Sequence, residues 1–143
     1  MSINWTFQGG KRVIKTIAAT AGDAVANLSP GTGKRWLVLR GRLTLVADAN
    51  AANRYVNLRL TDGTNVVEGI GQLSTAIVAN ETKILDFGEV RFMSGAAIAY
   101  DSLGYLGFNP ILLEGADQFR IEIVGGLAGD SYSGYVVVLE IDI

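Results

Sequence analysis

The sequence predicts an all-β protein, an antiparallel β-sandwich, on three observations. Apolar residues recur with a period of two through most segments. No segment repeats its apolar residues at the helical period. Clusters of Gly, Asn, Asp and Ser separate the alternating stretches. Successive strand side chains point to opposite faces, so this pattern fits strands with one buried face. About nine or ten of them spaced by turns fit a sandwich or barrel.

Taken in order, residues 1–10 precede the first alternation and are expected to form a short N-terminal arm. One domain, residues 11–143, should follow. A strand is expected over Val13–Ala19. The stretch "SPGTGKRWLVLRG" then makes a Pro-Gly turn into the longest strand, Lys34–Ala47. There Leu37, Leu39, Leu43 and Leu45 share one face with Gly41 and Ala47. Trp36, Val38, Arg40, Arg42, Thr44 and Val46 share the other, and Gly41 marks an expected bulge or bend. Asp48–Asn53 reads as a loop. In Asn53–Thr61, Val56, Leu58 and Leu60 should point inward, and Tyr55, Asn57 and Arg59 outward. Asp62-Gly63 is a strong hairpin signal. Further strands are expected at Val66–Gln72, Thr75–Ala79, Thr82–Phe92, Ile98–Tyr105 and Ile111–Leu113. The last two are the clearest: Phe119, Ile121 and Ile123 alternate within Gln118–Val124. Tyr135, Val137, Leu139, Ile141 and Ile143 then alternate against Val136, Val138, Glu140 and Asp142.

Composition narrows the function. The 143 residues are 49% hydrophobic and 18% charged, below the roughly 25% charged of an ordinary soluble domain. Part of the surface is therefore expected to be covered by other subunits, because interface cores are depleted in charge. Twelve basic and 14 acidic residues give a net charge of −2 with no run of one sign, so neither nucleic acid nor membrane is expected as a partner. No cysteine is present, which excludes disulfides and thiolate metal sites. No histidine is present either, which removes the usual general base near neutral pH. The first residues lack a signal-peptide core and no apolar run approaches the length of a membrane span, so synthesis in the cytoplasm is expected.

The candidate chemistry fails residue by residue. A phosphate-binding loop ending at Gly33-Lys34 needs glycine at position 28, which is Leu28. It also needs a hydroxyl at position 35, which is Arg35, and a helix where a strand pattern follows. The glycines of "VGGLAGDSYSGY" match neither a dinucleotide loop nor a nucleophile elbow, and Ser131 and Ser133 have no histidine to activate them. Glu114 with Asp117, Asp86 with Glu89, and Asp101 are carboxylates of turns and strands. A glycan hydrolase would need two of them to converge in one cleft. Asp48, Asn50 and Asn53 offer oxygens but lack the spacing of a calcium loop. The aromatics, Trp5 and Phe7 among them, read as core or interface groups sooner than a sugar platform. No catalytic residue, cofactor or metal is expected.

Two stretches carry a resemblance. "GKRWLVLRGRLTLVADANAANRYVNLRLTDGTN" (33–65) resembles the central hairpin of small jelly-roll proteins of tailed-phage and related virions. "NPILLEGADQFRIEIVGGLAGDSYSGYVVVLEIDI" (109–143) is similar to their closing part, with its Gly-Asp turn and final Tyr-Val-Val-Val strand. The resemblance implies a jelly-roll sandwich on a virus particle, commonly a trimer. Its expected role is capsid decoration: a cement protein that self-associates and binds the major capsid protein or other virion subunits. The alternative it leaves open is a carbohydrate- or receptor-binding module of a tail or fibre. Trp5 and Phe7 would either anchor the arm on a neighbour or belong to a first strand completing the sandwich. Lys34 and Arg35 would meet solvent or a neighbouring subunit, and Trp36 is a further candidate contact.

Overall fold

The computed structural model describes residues 10–88 and 102–143. The described residues form ten strands: β1 (Lys11–Ala21), β2 (Ala26–Leu28), β3 (Gly31–Val46), β4 (Tyr55–Thr61) and β5 (Val66–Gln72), then β6 (Thr82–Gly88), β7 (Ser102–Gly107), β8 (Ile111–Gly115), β9 (Gln118–Val124) and β10 (Ser131–Asp142). They build a large sheet ordered β1-β10-β3-β6-β7, with β8 also on β3, and a small sheet ordered β2-β9-β4-β5. The two sheets pack face to face, and the protein is a β-sandwich.

The pairing is nested. β1 pairs with β10, β2 with β9, β3 with β8 and β4 with β5, all antiparallel. β6 and β7 add to this scheme: β6 lies on the second half of β3, from Arg40 to Val46, and β7 runs parallel to β6. One side of β3 therefore carries two partners in succession, β8 on residues 31–38 and β6 on residues 40–46.

The core fills from both inner faces. Val38, Leu43, Leu45, Leu85, Leu113, Val136 and Val138 come from the large sheet; Val56, Leu58, Phe119, Ile121 and Ile123 come from the small one. Phe87 and Phe119 stack across the gap at 5.6 Å, and Phe108 joins them 6.1 Å from Phe87. Gly41 makes room for this cluster. A Cβ there would lie 2.4 Å from the Phe87 ring and 2.5 Å from the Tyr135 carbonyl oxygen.

The alternation in β3 differs from the expected one. Val138 pairs with Val38, yet Val137 pairs with Arg40, so Leu39 is the extra residue of a bulge. A one-residue insertion reverses which face each side chain takes. Hence Trp36 and Val38 point inward together with Gly41, Leu43 and Leu45, and Leu37 does not. The bulge sits two residues before the glycine expected to mark it.

Other elements depart from expectation for local reasons. Thr75–Ala79 forms no strand; only Ile77 bridges, exchanging both backbone hydrogen bonds with Arg54, before Asn80 turns the chain at φ 64°. Thr82–Phe92 is a strand as far as Gly88, and its remainder lies outside the described residues, as do residues 98–101 of the next expected strand. The hairpin at Asp62-Gly63 forms as read: the Asp62 carboxylate accepts from the Thr64 and Asn65 amides, and Gly63 takes φ 97°. Apart from Gly10, the expected arm lies outside the described residues.

Candidate functional site

The expected contact residues divide at once. Trp5 and Phe7 lie outside the described residues. Lys34, Arg35 and Trp36 open β3, where Gly31 and Gly33 take φ 82° and 76°. Trp36 is 4% exposed and points into the sandwich. Its indole N–H donates to Glu140 Oε2 at 2.7 Å. Lys15 Nζ lies 3.1 Å from the same carboxylate and 5.2 Å from the indole ring centre. Lys34 donates to Asp142 at 2.7 Å and lies 3.7 Å from Glu140. Arg35 faces the other way, its Nε 2.7 Å from Glu114 Oε1 as a charge contact without an aligned hydrogen bond. Strand register builds this network, since Glu140 opposes Trp36 and Asp142 opposes Lys34. The indole hydrogen bond, with Lys15 and Lys34, holds the Glu140 carboxyl below its ordinary range against the opposing effect of burial. Each of these charged side chains has a partner of opposite charge within the chain, and Arg35 Nε alone among them is buried without a hydrogen bond.

A second charged cluster sits at the opposite end of the same strands, and sequence reading missed it. Arg54 is fully buried. Its Nε and Nη2 donate to the two oxygens of Asp130, each at 2.9 Å. Its Nη2 also reaches Asp48 Oδ1 at 2.9 Å, and its Nη1 the Ala52 carbonyl. Asp130 further accepts from the amides of Asp48 and Leu127, both at 2.8 Å. Burial pushes the Asp130 carboxyl up, but Arg54 and the two amides outweigh it and hold the group at about 2. One guanidinium thus ties the β3–β4 loop to the β9–β10 loop. Of the loop oxygens that a calcium ion could use, those of Asp48 are occupied, accepting from Asn50 and from Arg54. Among the described residues, no group of three His, Cys, Asp or Glu side chains is placed to hold a metal ion.

Of the candidate carboxylates, Asp86, Glu114 and Asp117 have structural partners. Asp86 takes both Nε and Nη2 of Arg42, at 2.7 and 3.1 Å. Glu114 and Asp117 close one turn, each amide donating to the other residue. Asp101 and Glu89 lie outside the described residues.

What the described surface offers is contact area. On the outer face of the large sheet, register aligns Arg12, Leu139, Leu37 and Leu112 across β1, β10, β3 and β8. In the next row Ile14 opposes Val137. Ile14 is 66% exposed and Leu112 45%, with Leu37 and Leu139 half-buried and Val137 buried between them, so an aliphatic band open at both ends crosses four strands. The outer face of the small sheet is polar instead. Tyr55, Asn57 and Arg59 on β4 stand beside Arg120 and Glu122 on β9. Arg120 opposes Arg59 in register; Asn27 accepts from Arg120, and Glu122 lies 3.2 Å from Arg59.

Between β5 and the β7–β8 connection lies a cleft of about 400 Å³, with Leu60, Ile70, Phe108 and Ile111 among its walls and Glu68 and Asn109 also lining it. No family model matches the chain, and neither a curated protein nor a solved structure matches it.

Proposed function

We propose that the protein is a structural component of a virus particle, a jelly-roll capsid decoration protein that self-associates and cements neighbouring capsid subunits. The nested pairing supports the jelly-roll reading. Eight strands paired first with last, second with second-last and so on inward describe a hairpin rolled into two sheets, with β6 and β7 as an insertion. The observation that carries the role is the aliphatic band on the outer face of the large sheet, on a chain with only 18% charged residues. A face of this kind is stabilised by burial against another subunit, at roughly 25 cal/mol per Å² of apolar area removed from water. In this reading the protein works by binding, without a catalytic centre.

The test is reconstitution. Purified protein should form oligomers and bind capsids assembled without it, raising the temperature at which the particles come apart. A protein that stays monomeric and ignores such capsids refutes the reading. The polar outer face of the small sheet favours one alternative, a carbohydrate- or receptor-binding module of a tail or fibre, with Tyr55 and Arg120 among its contacts. A glycan array separates the two, since a cement protein should give no signal.

A further inference from the structure

β1 and β5 bound opposite sides of the sandwich, one at the edge of each sheet. Among the described strands each has a ladder partner on one side only, so each presents backbone N–H and C=O groups that an added strand could use. Their charges are opposite. β1 carries Lys11, Arg12 and Lys15 and no acid. On the other side Glu68 lines the cleft beside β5 and Asp62 stands in the hairpin that leads into it, with Asp117 in the turn next to Gly63, and residues 61–72 carry no lysine or arginine. The β5 edge is also open. Val66 is 43% and Val67 57% exposed. Gly69, in the middle of the strand, has an ordinary negative-side backbone, and a Cβ added there would meet nothing within 4 Å. Gly69 and Gly71 flank a bulge at Ile70, since Arg59 pairs with Gly69 and Leu58 with Gly71, and Gly69 leaves this stretch of the edge without a side chain that would keep another backbone away.

We infer that the β1 edge of one copy docks on the β5 edge of the next, beside the cleft, and that copies join head to tail. The inference rests on the proposed self-association and specifies its surface. Pairing like with like would set Lys11 and Arg12, or Glu68 and Asp62, near their own kind; the unlike pairing matches sign to sign. A heterologous contact of this type closes into a ring when its rotation permits and otherwise grows into a filament.

Light scattering after size-exclusion chromatography of the full chain tests this. Arg12→Glu and Glu68→Lys should each weaken association about tenfold or more, and the double variant should recover most of it, because unlike charge is restored across the same junction. Gly69→Lys should keep the strand signature in circular dichroism and lose assembly, since nothing in the chain opposes a side chain there. If wild-type protein assembles and these variants assemble equally well, the edge contact is refuted and self-association stands. If wild-type protein is monomeric throughout, both fall.

Discussion

The two ends of the β3–β10 ladder handle buried charge in opposite ways. At the loop end, Arg54 and Asp130 are fully buried and joined through two parallel contacts, with Asp48 and backbone groups completing the shell. At the strand end, Glu140 is nearly buried but answered by an indole and two lysines, of which Lys34 is well exposed. A planar guanidinium can satisfy several acceptors from one fixed position, which suits a site that must hold irregular loops without water. Ammonium groups on flexible stems suit a site whose geometry the strands already set.

Substitutions should expose this difference. Arg54→Met, which strands Asp130 and Asp48 without a cation, should cost about 3–5 kcal/mol in denaturant unfolding. A cost near that of a surface pair would erase the contrast. Acid should strike the loop end next. Asp130 gives up its proton more readily in the folded chain than in the unfolded one, so its contribution is complete above the ordinary carboxylate range. It is lost as pH falls from about 4 toward about 2. Urea midpoints measured across that window should fall, and the fall should shrink in Arg54→Met. At the strand end, Trp36→Phe keeps most of the buried ring but removes the donor to Glu140, and should cost about 1–2 kcal/mol. Lys34→Ala should leave the thermal midpoint where it was, because its nearer partner Asp142 is exposed to solvent and Lys15 remains on Glu140.

The sandwich was legible because period two survives in any strand with one buried face. Phe119, Ile121 and Ile123, or Val56 and Leu58, state their side of the sheet without help. β2 was not legible, since three residues, Ala26–Leu28, are too few to show a period. Nor was the bulge at Leu39, because both faces of β3 are rich in leucine and valine and either phase reads as buried. Thr75–Ala79 carries a strand's composition, but its neighbour Arg54 takes only Ile77 into pairing. As for the candidate sites, the failure of the phosphate loop could be read from Leu28 and Arg35 alone. The Arg54–Asp130 pair could not, because its members are 76 residues apart and nothing local marks either one as buried. The aliphatic band was equally hidden: it exists only once Leu37, Leu139 and Leu112 are brought into one row by three separate strands.

Nesting has a practical consequence. Lys11 lies beside Glu140 in the first ladder, so the start of β1 and the end of β10 stand at one corner of the sandwich, far from the loops that Arg54 ties together. Cargo fused ahead of residue 11 and cargo fused behind residue 142 would emerge side by side. A short linker between those points, with a new opening in the exposed Asp62–Asn65 turn, should yield a circular permutant that still folds.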